Sequence, residues 1–188
     1  MKFFHLLFLL LTGLGILLSG CATPPVDPSD ETVSMIYGYI DMSAAPSALK
    51  EVSVRRYSEP AGNVDTNVER NAWAERGGLF WQLGVRPGIY QIYSYGDEKN
   101  RFIYNEERQS ETAIRIEEPG LYFLGSYSYP VKSAQRSGVD ALDLKVAKSP
   151  SEVNLLERLI KMMESKKDDR VYLRQYGWLK MRLSELKR

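Results

Sequence analysis

Apolar and polar positions divide this chain into stretches of different periodicity. Residues 3–18 are apolar except for His5, Thr12, Gly13 and Gly15. A run of this length suits the hydrophobic region of an export signal better than a stable membrane span. Residues 22–32 carry three prolines and no apolar period, which predicts an extended tether outside the fold. From residue 35 to 148 the signals are those of strands. Val52 and Val54 alternate with Ser53 and Arg55, and Ile114 and Ile116 with Arg115 and Glu117. Leu79-Phe80-Trp81-Gln82-Leu83 and Ile89-Tyr90-Gln91-Ile92-Tyr93 are rich in β-favouring residues, with Arg86-Pro87-Gly88 as a turn between them. Residues 121–129, entered through Pro119-Gly120, and residues 139–146 complete a set of seven or eight short strands. Their Gly and Pro punctuation predicts an antiparallel sandwich.

The period then changes. Ser149-Pro150-Ser151-Glu152 predicts a helix start, with Ser149 as cap, Pro150 in the first position and Glu152 in the third. Val153, Leu156, Leu159, Ile160 and Met163 would share the inward face, with Leu155 and Met162 at its edges. A second helix is expected from residue 170 toward 186, with Val171, Leu179, Leu183 and Leu186 inward. Residues 149–188 therefore form a helical segment behind a sandwich of residues 35–148.

Charge and residue counts narrow the chemistry. The formal net charge is +1, and loss of Lys2 with residues 1–20 would leave zero, so no global field draws the chain to nucleic acid. The single histidine is His5 and the single cysteine is Cys21. The former would depart with the leader. Without a free imidazole or thiol, the domain has no means to build a His/Cys zinc site, an internal disulfide, or a Ser-His-Asp or Cys-His nucleophile. No metal and no cofactor are expected.

Leu18-Ser19-Gly20-Cys21 resembles the lipobox of bacterial lipoprotein precursors. The resemblance implies a signal peptide at residues 1–20, lipidation of Cys21, and a tether over residues 21–34. Two or three acyl chains at one cysteine exceed what stable anchoring needs. Ala22, in place of the aspartate that retains enteric lipoproteins, implies the periplasmic face of the outer membrane, with the inner membrane as the other option. Further on, Met35-Ile36-Tyr37-Gly38-Tyr39-Ile40, Val52-Ser53-Val54, Gly78-Leu79-Phe80-Trp81-Gln82-Leu83 and Arg86-Pro87-Gly88-Ile89-Tyr90 resemble the transthyretin-like, carboxypeptidase-regulatory-like sandwich. That likeness covers roughly residues 35–128, departs from the usual spacing by an insertion between Tyr57 and Gly77, and carries over no catalytic residue.

Two segments are candidates for partner contact. Residues 58–77 form the longest unpatterned stretch and hold Arg70, Trp73, Glu75 and Arg76, which suits either a recognition tip or a tryptophan plug at a sandwich end. Residues 170–188 carry six basic side chains and one acid, Glu185, with Tyr172, Tyr176 and Trp178 interleaved. Arg174, Trp178 and Arg182 are the contact candidates there. The face suits a polyanion such as anionic lipid, or else a solvated helix whose aromatics pack inward. The acid pairs Asp97-Glu98, Glu106-Glu107 and Glu117-Glu118 are each adjacent on the chain, so strand geometry would send the members to opposite faces. Tyr90, Tyr93, Tyr95, Tyr127 and Tyr129 suit a ligand groove or, more commonly, core packing.

The expectation is therefore a non-catalytic binding or assembly module of the cell envelope. A lipid anchor would hold it to a membrane, and its partner would be an envelope protein or the cell wall. The alternatives are a glycan hydrolase working through carboxylates, and a carrier of a small apolar ligand. The hydrolase requires two carboxylates across a cleft, the carrier a closed apolar cavity, and the module an exposed apolar or aromatic patch.

Overall fold

A computed structural model describes residues 27–58, 63–97, 100–103, 113–129 and 144–188, with backbone alone for residues 57–58 and 63–70. Nine strands occur among the described residues: β1 (Ser34–Asp41), β2 (Glu51–Ser58), β3 (Asn63–Ala74), β4 (Leu79–Val85), β5 (Gly88–Gly96), β6 (Arg101–Ile103), β7 (Ile114–Ile116), β8 (Leu121–Ser128) and β9 (Lys145–Val146). Two helices follow, α1 (Glu152–Met163) and α2 (Arg170–Leu186), joined by a 3₁₀ turn at Glu164–Lys166. The protein is mainly β with two C-terminal helices.

The strands hydrogen-bond in the order β6-β5-β2-β3-β4-β1-β8-β9, with β7 also on β5. All pairs are antiparallel except β1 with β8, where Met35 stands opposite Leu121 and Ile40 opposite Tyr127 in parallel. This departs from the antiparallel expectation. Parallel neighbours need a long crossover, and here the whole β2–β7 portion serves as one. β3 joins the two halves of the curled sheet. Its residues 63–64 and 69–72 pair with β2 across a register shift, while Trp73 and Ala74 pair with Trp81 and Phe80 of β4. Residues 58–77 are thus mostly strand rather than the expected loop.

Two cores result. Between the sheet halves lie Ile36, Ile40, Val52, Val54, Phe80, Ile92, Tyr95 and Leu124. On the opposite face of β1, β4 and β8, the residues Met35, Tyr37 and Leu79 meet Leu155, Leu156, Leu159, Met163 and Leu179 of the helices. These three strands are apolar on successive residues because both of their faces are covered. Gly38 lets the inner core close: a Cβ there would lie 2.5 Å from Phe80 Cζ.

The helices dock on the sheet. A twelve-residue helix is marginal alone in water. Four fully packed apolar side chains of α1, at about 1.5–3 kcal/mol each, make docking the source of its stability. Its cap is Ser151, whose Oγ accepts from Asn154 N at 3.3 Å, and not Ser149. The chain before it is already engaged, since Ser126 Oγ donates to Pro150 O at 3.2 Å. Leu155, expected at the edge, is fully buried and Val153 only half-buried, so the buried face is turned toward Leu155 relative to the expected one. In α2, Leu179 is buried as expected. Leu186 is 38% exposed, because it lies beyond Leu183, the last residue of α2 packed on this core.

Candidate functional site

The most closely knit polar cluster lies where α1 begins beneath α2. Tyr37, fully buried on β1, donates its hydroxyl to Glu152 Oε1 at 2.7 Å. Arg182 of α2 donates to the same oxygen at 2.9 Å and lies 3.5 Å from Glu185 Oε2. Burial, reinforced by the Glu152 carboxylate, holds the Tyr37 phenol far above its usual range, so it stays a neutral donor. Beside this cluster an open groove of about 590 Å³ runs between β8 and α2, lined by Leu121, Phe123, Trp178 and Met181. The two carboxylates that border it, Glu152 and Glu185, both turn to the Arg182 guanidinium, and the Glu152–Arg182 pair ties α1 to α2.

A second cluster fixes the start of the domain. Asp27 and Asp30 each close a tight turn, accepting from the backbone and hydroxyl of Ser29 and of Thr32 at 2.8–2.9 Å. Arg174 Nη2 donates to Asp30 O, and to Pro28 O and Val33 O at 3.4 Å each. Gln175, fully buried, donates from Nε2 to Pro28 O at 2.8 Å. The Arg174 guanidinium also sits 4.9 Å above the Trp178 ring. Residues 27–32, expected as free tether, are therefore bound to α2.

These contacts relocate the candidates. Arg174 and Arg182 are committed to internal partners, and Trp178 and Tyr176 pack against the outer core. Tyr176 and Trp178 thus follow the inward-packing option, while Tyr172 lies under Lys166. Arg70 lies on β3 opposite Val54, with its side chain outside the described residues. Trp73 is 67% exposed, although its strand partner Trp81 packs under the helices. Being paired, the two indoles share a face of the sheet, and Trp73 continues that face past the covered area. Arg76 is exposed in the turn after β3, beside an open cleft of about 410 Å³ that Leu49 and Lys50 also line. Arg158 of α1 grips the same turn, 2.8 Å from Glu75 Oε2. The structure thus brings Trp73 and Arg76 to one end of the molecule and separates them from the α2 candidates.

Leu173 and Met181, absent from the inward stripe expected of this helix, are each 59% exposed on α2. Their i, i+8 spacing was the available signal. Of the acid pairs, Asp97 is buried and fixes its own turn through Asn100, Glu117 and Glu118 are exposed, and Glu98, Glu106 and Glu107 lie outside the described residues. Tyr90, Tyr95 and Tyr127 are core, Tyr129 packs against them, and Tyr93 lies under the Arg55 guanidinium. Among the described residues no three His, Cys, Asp or Glu side chains gather as metal ligands. No described helix is long and apolar enough to cross a membrane.

No protein-family model matches the chain, and no curated protein matches it. Solved structures that resemble it include a DUF3823 family protein from Parabacteroides merdae, with 12% identity over 62% of this chain and 48% of that one, at a TM-score of 0.30. A variant of the major pilin subunit of Bacillus cereus shows 16% identity over 49% and 29%, at 0.29. A leucine-rich repeat protein from Bacteroides thetaiotaomicron shows 14% over 52% and 12%, at 0.31. The chain spans less than half the length of each.

Proposed function

We propose that this protein is a lipid-anchored, non-catalytic binding module of the bacterial envelope, attached through Cys21 and exposed to the periplasm. The observation that carries the reading is Trp73. An indole 67% exposed on a regular strand forgoes the burial that large aromatics ordinarily gain, and Arg76 stands a few residues away. Tryptophan and arginine are the residue types that dominate protein interfaces when a partner covers them. The partner in this reading is another envelope protein. Anchoring contributes by confining both molecules to one surface, which raises their effective concentration without any new contact.

The test is made in intact cells on the full chain. A fatty-acid analogue should label wild type and spare Cys21→Ala. A photo-crosslinking residue at position 73 should give one defined adduct with an envelope protein. Trp73→Ala should weaken recognition about thirtyfold, for a hot spot of about 2 kcal/mol, while folding stability changes by less than about 0.5 kcal/mol. An adduct pattern at position 73 no different from that at an exposed site elsewhere would remove the module reading.

A further inference from the structure

The outward side of α2 carries a pattern that the fold does not use. On a helix, Leu173, Gly177, Met181 and Ser184 fall on one row. That row points away from Leu179, which seats the helix on the sheet. Leu173 and Met181 are each 59% exposed. Arg170 and Lys180 stand exposed along the same side, and Arg188 is exposed just past the helix end. The nearby acids are turned to other partners: Glu185 faces Arg182, Asp169 caps the helix through Val171 N, Asp27, beside Arg170, accepts from Ser29, and Glu164, near Lys180, accepts from Lys167, while Asp168 lies before the first turn. Cations interspersed with separate apolar side chains complement anionic phospholipid, whose phosphates meet the charges while leucine and methionine enter the acyl boundary.

The path of the chain supplies an independent argument. Pro28 is fastened to this very helix by Gln175 and Arg174. Five residues separate Asp27 from Cys21, six Cα-to-Cα steps in all, a reach of at most about 20 Å even fully extended. That is shorter than α2 itself, about 25 Å for seventeen residues. A lipid on Cys21 would keep the exposed row within its own length of the headgroups.

We infer that α2 is the membrane-facing surface of the protein and lies flat on anionic phospholipid with Leu173 and Met181 inserted. The inference rests on the proposed lipidation of Cys21. Its ligand is the phospholipid surface, and a protein covering the same row is the competing outcome.

Gly177 provides the probe site, since an added Cβ there meets nothing within 4 Å. Full-length Gly177→Cys, lipidated in cells, would be labelled with an environment-sensitive fluorophore. It would then be reconstituted into phosphatidylcholine vesicles with or without phosphatidylglycerol. Ala48→Cys, in the exposed connection after the other end of β1, is the control. Nitroxide-labelled lipid should quench the probe at 177 and spare the one at 48, more strongly with phosphatidylglycerol present. Lys180→Gln should lower the docked-to-undocked ratio about fivefold, and Leu173→Glu with Met181→Glu should abolish quenching. Equal quenching at 48 and 177, or none at 177, overturns the inference while leaving the anchor intact. Shielding at 177 that needs added envelope protein also overturns it, in favour of a protein contact. A wild-type chain that itself takes up the thiol dye shows Cys21 unlipidated, and then the anchor reading and this inference fall together.

Discussion

Replacing Arg174 by methionine tests whether residues 27–33 belong to the folded unit. The substitution keeps an apolar stem against Trp178 and removes the cation from the carbonyls of Pro28, Asp30 and Val33. Charge-assisted bonds contribute about 1.5–3 kcal/mol when well formed. Two of these sit at 3.4 Å on a half-buried side chain, so about 1–2 kcal/mol is the appropriate total. Loss of the cation over Trp178 adds about 0.5 kcal/mol. Gln175 continues to hold Pro28 O at 2.8 Å, so the segment is loosened and not released. Local opening should become easier by about 2 kcal/mol, or about thirtyfold in amide exchange. The reporting amides are Asp30 and Val33, bonded to Asp27 O at 3.1 Å and Asp30 O at 3.3 Å. Hydrogen exchange read by mass spectrometry on residues 27–34, with β4 as internal control, gives the answer. Exchange at 27–33 that moves less than threefold would refute the clamp. Equal acceleration in β4 would show that Arg174 acts on global stability instead.

Three further outcomes follow from the packing. Gly38→Ala should cost about 1–3 kcal/mol in chemical denaturation, because the new Cβ meets Phe80 Cζ at 2.5 Å; combining it with Phe80→Leu should recover part of the loss, and a strictly additive double mutant would contradict that geometry. Leu159→Ala should cost about 2–5 kcal/mol by opening the outer core, and a transition in which the helices melt separately from the sheet would show that the two do not form one cooperative unit. Because burial raises the folded-state pKa of Tyr37, its contribution is complete below the unfolded value near about 10 and is lost as pH rises above it; alkaline denaturation should therefore be milder in Tyr37→Phe than in wild type, relative to each at neutral pH.

Much of the sandwich was legible because local pattern and tertiary environment agree. Val52 and Val54 alternate and are buried, and Leu79, Phe80, Trp81 and Leu83 form a nearly continuous apolar run, broken by Gln82, because β4 is covered on both faces. β3 escaped notice because Asn, Asp, Glu and Arg obscure its period. Arg70 falls among its even positions, and its register against β2 shifts between Val64 and Glu69, so no unbroken two-residue repeat runs along it. The parallel pairing of β1 with β8 had no local signal, since register between strands so far apart is decided by closure of the whole sheet. The roles of Arg174 and Arg182 were missed for a related reason. Basic residues on a helix look alike in sequence, and what distinguishes these two is the arrival of distant acceptors, the Pro28–Val33 carbonyls and Glu152. Leu173 and Met181 were overlooked because the inward stripe alone was sought.

The central position of β1 determines the order in which the chain can mature. Gly120 N reaches Ser34 across 86 positions, and the Tyr37 hydroxyl finds Glu152 115 positions later. A strand that is synthesised early must therefore wait for nearly everything behind it before either of its apolar faces is covered. Pairings of such separation make assembly slow, in the range of milliseconds to seconds for β-rich domains, and leave Met35-Ile36-Tyr37 open to wrong neighbours meanwhile. The helices, emerging last, act as the latch on the first strand. A chain shortened by a few turns at its C-terminus would have its defect at its N-terminal strand, and proteolysis should find it there first.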